Sequence, residues 1–307
     1  MRKTTGIVIA SGLLLTLAAC SADSADSCSP LIQRGGLAAS VSVEGDFGTA
    51  GATATFPQPL VSTNEISSAV ISTGDGELVA PGSVVAGAVT LYDSTTGAPL
   101  TGGDLMLDTI DSTWPFMDAA VCAPVGSRVV TVGAATEVLG EFAADAGFTE
   151  DQTAVLVIDI KDAYYGRATG SPVLPVNGLP TVSLAPNGQP GLSFTGADAP
   201  ADLTIETLIK GDGDVVADGD TVVLKYTGID WDTKSVFDSS WDRGRPVAFG
   251  TGEVVPGFGK ALIGQTVGSQ VLAVIPASEG YGDSASSPVG PNGTMVFVID
   301  ILGIAAQ

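Results

Sequence analysis

Three short segments recur in the same order along this chain, and no other feature constrains its fold as strongly. Ile71-Ser72-Thr73-Gly74-Asp75-Gly76-Glu77-Leu78-Val79 resembles Leu208-Ile209-Lys210-Gly211-Asp212-Gly213-Asp214-Val215-Val216. Pro124-Val125-Gly126-Ser127-Arg128-Val129-Val130 parallels Thr266-Val267-Gly268-Ser269-Gln270-Val271-Leu272, and Val155-Leu156-Val157-Ile158-Asp159-Ile160 parallels Val296-Phe297-Val298-Ile299-Asp300-Ile301. The spacing between matched segments is nearly constant, which is the mark of a duplicated domain rather than of short solenoid units.

Both copies read as strands. Val-rich apolar runs of about four to eight residues, bounded by Gly, Pro and Asp, are half- or fully buried β segments. The Gly-Asp-Gly triplets are turn chemistry, since glycine accepts positive φ. With Gly 40 and Pro 18 in 307 residues, a turn-rich, mostly β architecture is favoured over helical bundles. One short helix is expected, in the second copy, where Gly257 to Ile263 follows Pro256. Between the copies, Pro172, Pro175, Pro180, Pro186, Pro190 and Pro200 exclude long central strands. That stretch reads as a linker, in which Thr181–Leu184 and Leu192–Phe194 flank Asn187-Gly188 as a small hairpin.

Charge and composition exclude several function classes. The net charge of −22, from 34 acidic and 12 basic residues, makes nucleic acid a poor partner. Its plainest meaning is a solvated surface. Histidine is absent, which removes the commonest general base and zinc ligand and excludes Ser-His and Cys-His nucleophile pairs. Acidic residues are scattered without a ligand-bearing loop, so neither a metal nor a cofactor is expected.

The first residues read as an address. Arg2 and Lys3 precede an apolar run, Gly6 to Leu17, that is too short to cross a ~30 Å hydrocarbon core. Leu17-Ala18-Ala19-Cys20 is similar to the bacterial lipobox. That similarity implies lipidation of Cys20 and anchoring at the extracytoplasmic face of the cell membrane. Residues 21–36 then form a tether. Cys28 and Cys122 either join as one disulfide or leave Cys122 a buried thiol; the sequence leaves both open.

The chemistry-bearing segments follow in the last third of the chain. Val222-Val223-Leu224-Lys225-Tyr226-Thr227-Gly228 and Val236-Phe237-Asp238-Ser239-Ser240 are followed by Arg245-Pro246-Val247-Ala248-Phe249 and Glu253-Val254-Val255-Pro256-Gly257-Phe258. Val267-Gly268-Ser269, Ile275-Pro276, Gly280-Tyr281-Gly282 and Thr294-Met295-Val296-Phe297 complete the series. In unbroken order, these residues resemble FKBP-type peptidyl-prolyl cis-trans isomerases.

The resemblance implies an α+β, mostly β fold: a bent antiparallel sheet of about five strands wrapped around a short helix. It implies a pocket lined by Tyr226, Phe237, Asp238, Phe249, Val254, Val255, Phe258, Tyr281 and Phe297. Of these, Tyr226, Asp238, Phe249, Val255, Phe258 and Tyr281 would carry catalysis, and Phe237, Val254 and Phe297 would seat the substrate. Its ligands would be proline-containing exported polypeptides and rapamycin-like macrolides. The alternative is a non-catalytic, chaperone-like module holding unfolded or proline-containing clients. Two departures stand out: Phe258 where many members carry tryptophan, and a Ser-rich loop from Asp283 to Asn292.

The first copy keeps the strands and loses the polar residues. Val89 stands for Tyr226, Leu139 for Tyr281 and Leu156 for Phe297, and no Phe-Asp-Ser-Ser is present. Residues 37–162 are therefore expected to be a degenerate FKBP-like domain, 163–200 a linker, and 201–307 the isomerase domain.

Overall fold

The structure is a computed structural model that describes residues 28–62, 65–109, 114–149, 152–174, 177–282 and 290–306. The leader, Cys20, and residues 283–289 of the Ser-rich loop lie outside the described residues.

After a short hairpin of β1 (Ser42–Glu44) and β2 (Thr53–Thr55), the first half contains β3 (Ser67–Ser72), β4 (Val84–Asp93) and β5 (Pro99–Asp108). A 3-10 turn at Pro115–Ala120 leads to β6 (Arg128–Ala134), two short helices, α1 (Ala135–Leu139) and α2 (Phe142–Asp145), and β7 (Thr153–Tyr164). The sheet is antiparallel and five-stranded, in the order β3-β6-β7-β4-β5. The two helices were not expected from the strand-like repeat; α1 stands where the second half has only a 3-10 turn, Ala277–Glu279.

The second half begins with β8 (Ser171–Pro172), β9 (Thr181–Leu184), β10 (Pro190–Ser193) and β11 (Thr204–Lys210). There follow β12 (Thr221–Asp230), β13 (Val236–Ser239), β14 (Val247–Gly250), α3 (Pro256–Leu262), β15 (Gln270–Ile275) and β16 (Met295–Ile304). The order is β13-β12-β16-β15-β11-β8, with β14 also paired to β12. The expected helix is present as α3. Pro256 begins it, where the missing N–H costs nothing.

The duplication holds at the level of register. Val89 lies opposite Ile158 as Tyr226 lies opposite Ile299, and Arg128 opposite Asp159 as Gln270 opposite Asp300. The edge pairings β3–β6 and β11–β15 carry corresponding bulges, at Val70/Ser72 and Thr207/Ile209. Pairs β4–β7 and β12–β16 do the same at Ala86/Gly87 and Val223/Leu224. The Gly-Asp-Gly triplets have a different cause from the one read in the sequence. Gly74 and Gly211 have no positive φ; a Cβ at either would sit 2.1 Å from the carbonyl oxygen of Val125 or Val267. Close backbone approach, not turn dihedrals, requires glycine there.

One boundary expectation needs correction. Residues 28–36 are not a free tether: Ile32 is buried, Arg34 bridges to Ser68, and Cys28 is disulfide-bonded to Cys122. The Pro-rich stretch docks through the hairpin read in its sequence. The β9–β10 hairpin forms, and Val182, Leu192 and Phe194 pack on the sheet face made by Leu272, Val274, Val296 and Val298. Prolines permit this because Pro172 sits on an edge strand and Pro190 opens one. Each sheet is thereby buried on both faces, which is why β7 and β16 read as continuous apolar runs rather than alternating ones. The halves abut through Val84, Met106 and Tyr164 against Val223 and Leu302.

Candidate functional site

Strand β12 turns alternate residues to opposite sides of its sheet. Leu224 and Tyr226 enter the core against α3, while Val223 packs at the junction of the halves. Around Tyr226, β13 contributes Phe237, β14 contributes Phe249, α3 contributes Phe258 and β16 contributes Phe297. Gly228 makes this convergence possible, since a Cβ there would lie 2.7 Å from the Phe297 ring and 2.8 Å from that of Phe237.

The rings pack edge-on and tilted. Centroids of Phe258 and Phe297 are 5.0 Å apart and perpendicular, those of Phe237 and Phe297 5.5 Å, and Tyr226 lies 5.9 Å from Phe258. Such geometry is favourable for aromatic pairs and leaves a cup rather than a filled core. The cavity measures about 470 Å³. All nine residues expected from the sequence line it, together with Glu253.

Polar groups are few and organised. The Tyr226 hydroxyl donates to one carboxylate oxygen of Asp238, and Arg243 donates to the other and, at 3.1 Å, to the Tyr226 oxygen. Burial, reinforced by the bond to Asp238, pushes the Tyr226 phenol up to about 12. Burial, with the Asp238 charge added, also raises Tyr281. Both phenols therefore stay protonated and act as donors at neutral pH. Among the described residues the Tyr281 hydroxyl has no hydrogen-bond partner, and the Val255 backbone N–H, at the start of α3, has no acceptor. Each is a donor at the cavity wall with its proton uncommitted.

Two residues escaped the sequence reading. Glu253 directly precedes Val254-Val255-Pro256 and carries no signal of its own. Arg243 had one usable signal, a cation five residues after Asp238 in a chain poor in cations. Asp238 is shared between the Tyr226 hydroxyl and Arg243.

Known proteins converge on this region. The profile of the FKBP-type peptidyl-prolyl cis-trans isomerase family matches residues 213–302. An FK506-binding protein of Streptomyces anulatus is 37% identical over 120 residues, which is 38% of this chain and 97% of that protein. A probable FK506-binding protein of Corynebacterium glutamicum is 33% identical over 114 residues, 37% of this chain and 97% of that one. The crystal structure of FkpA from Escherichia coli is 29% identical, covering 42% of this chain and 52% of that one with a TM-score of 0.32. Two relatives are thus contained almost whole within this chain's sequence, and the chain belongs to the FKBP-type peptidyl-prolyl cis-trans isomerases.

Proposed function

We propose that this isomerase is a lipid-anchored, extracytoplasmic protein that assists folding of exported polypeptides, with the aromatic cup as its catalytic site. The observation that carries the assignment is an apolar cup bearing two uncommitted donors, the Val255 N–H and the Tyr281 hydroxyl.

Rotation about an X–Pro bond must cross a barrier of ~18–20 kcal/mol because twisting breaks amide resonance. The twisted amide has less charge separation than the planar one, so a water-poor aromatic pocket favours it over the ground state. In this reading Phe258 and Phe297 form the floor and side on which the pyrrolidine ring rests, with Phe237, Phe249 and Val254 closing the cup. The Val255 N–H and Tyr281 hydroxyl hold substrate carbonyls, which fixes the chain on either side of the turning bond. Tyr226, Asp238 and Arg243 keep a polar wall in one arrangement. No proton leaves a carbon, so the absence of histidine is no handicap. Each ~1.4 kcal/mol gained preferentially by the twisted state multiplies the rate about tenfold. The same cup is proposed to take rapamycin-like macrolides.

The leader and lipobox-like Leu17–Cys20 motif support the location, and the Cys28–Cys122 bond suits an oxidising compartment. Residues 37–162 are read as a degenerate copy without isomerase activity.

A proline-limited refolding assay with the mature protein tests the reading. Acceleration abolished by rapamycin is the expected result. No acceleration at micromolar protein, with the fold intact by circular dichroism, would sink the catalytic assignment in favour of a holding role. For the location, Cys20→Ser should move the protein from the membrane fraction to the soluble one; retention in the membrane would refute the anchor.

A further inference from the structure

The aromatic cup is not the largest cavity described. A cavity of about 560 Å³ lies where the two halves meet, with Ser83 and Asp108 on one side and Arg167, Lys225, Trp241 and Arg245 on the other. Three of the chain's 12 cationic residues line this one space, in a protein of net charge −22.

The charges are not all internally matched. Lys225 gives its ammonium to both Asp108 oxygens, at 3.0 and 2.9 Å, and to the Gly166 carbonyl at 3.0 Å. It lies 4.6 Å from the Trp241 ring centroid. Its three donors are used, and it cancels the charge of Asp108. Arg167 is steadied by a 3.2 Å bond to the Pro186 carbonyl and packs with Trp241 around Gly188. Neither Arg167 nor Arg245 has a carboxylate within ion-pair distance among the described residues. By contrast Arg128 and Arg243 are each paired with an aspartate. With 34 acidic residues available in the chain, two unpaired guanidiniums in one cavity run against its overall charge. The Trp241 indole N–H is buried and also has no acceptor among the described residues.

A guanidinium presents planar, paired donors that match the oxygens of phosphate and carboxylate groups. Among the lining side chains two positives remain after Lys225 and Asp108 cancel, and the buried Asp300 carboxyl behind the wall, which interacts with Lys225 and Arg167, does not line the cavity. The cavity is walled on one side by an indole ring, against which the remainder of a ligand can pack. We propose that this interdomain cavity is a second ligand site, separate from the isomerase cup, that takes a phosphate- or carboxylate-bearing ligand through Arg167 and Arg245.

Calorimetric titration of the mature chain, without its lipid, with sodium phosphate should show saturable binding that sodium chloride of equal ionic strength does not. Arg167→Ala and Arg245→Ala should each weaken it by about tenfold, a loss of ~1.4 kcal/mol, and together abolish it. Both side chains are exposed and outside the cup, so the double variant should keep the wild-type isomerase rate, which checks its fold. A second arm uses phosphatidylglycerol–phosphatidylcholine vesicles against pure phosphatidylcholine. Vesicle binding lost in the double variant would assign the oxyanion to a lipid headgroup, and phosphate binding without it would assign a soluble ligand. Absence of both kinds of binding, or binding undiminished in the double variant, would overturn the proposal.

Discussion

The two halves of this chain share pairing order, register and bulges, yet they spend their interiors differently. In the first, Val89, Leu139 and Leu156 join Phe116 and Met117 in one apolar core, and Trp114 stacks on Phe142 at 3.6 Å between centroids. In the second, the corresponding positions are Tyr226, Tyr281 and Phe297, and they enclose a cup with polar tips. The sheet scaffold is thus separable from the site it carries: the pairing needs only strands and close-approach glycines, whereas the cup needs particular side chains. Even the covering of the outer faces is repeated. Residues preceding each sheet fold back on it, Val41, Phe56 and Leu60 on the first and Val182, Leu192 and Phe194 on the second.

The largest expected difference between the halves is in stability, at a single register position. In the first half Arg128 meets Asp159 through two bonds, of 2.6 and 2.7 Å, and also holds the carbonyls of Gly45 and Asp46. In the second half Gln270 meets Asp300 at 2.7 Å. Arg128→Ala leaves a buried carboxylate unpaired and should cost about 3–5 kcal/mol. Gln270→Ala removes one neutral partner and should cost about 1–3 kcal/mol. Urea denaturation of both variants measures the gap, and equal losses would mean that the two positions are not the contrast described.

Next in size is an exchange that makes the second half resemble the first. Tyr226→Val combined with Phe297→Leu should lower kcat/KM about a hundredfold, equivalent to ~2.7 kcal/mol. Leu139→Ala, in the first half, should leave the rate unchanged while lowering stability. Retention of activity in the double variant would show that the first half, not the cup, does the chemistry.

A gentler change separates donor from wall. Tyr281→Phe keeps the ring and removes the hydroxyl that has no partner in the described protein, so the fold should be unaffected. We expect about a tenfold fall in kcat/KM, or ~1.4 kcal/mol. Stopped-flow cis-trans exchange of a proline tetrapeptide reads it directly, and an unchanged rate would leave Val255 as the only carbonyl donor.

Much of this was legible before the structure. The repeated segments marked the matched strands, and the Tyr-Thr-Gly and Phe-Asp-Ser-Ser segments carry Tyr226, Phe237 and Asp238 of the cup lining. What the sequence hid depends on contacts between distant residues. Arg243 looked like any surface cation until β12 and β13 brought Tyr226 and Asp238 beside it. The hairpin of the Pro-rich linker was legible from Asn187-Gly188 and its flanks, but not the apolar sheet face that its two four-residue strands cover. The glycines at 74 and 211 were assigned to turns because sequence shows glycine but not the neighbouring carbonyl that excludes a Cβ.

The smallest expected effect is a pH dependence at one carboxyl of the second half. Asp300 is nearly completely buried, and burial raises its carboxyl above the ordinary value of 3.8. The Ala168 N–H, Gln270, and the charges of Lys225 and Arg167 offset that only in part. The folded state therefore holds the proton more tightly than the unfolded one. The stability this gives is fully present below pH 3.8 and is lost as pH rises through the raised folded value. Asp300→Asn keeps an acceptor for the Ala168 N–H and turns its NH2 to Gln270, whose amide flips to accept with its oxygen, without a charge to bury. Relative to wild type, the variant's Tm should therefore improve as pH rises from 3.8 through that value and level off above it, and the gap should close in more acidic buffer. Thermal melts across the acidic range test it; a gap that stays constant with pH would show that the buried carboxyl of Asp300 does not titrate differently on folding.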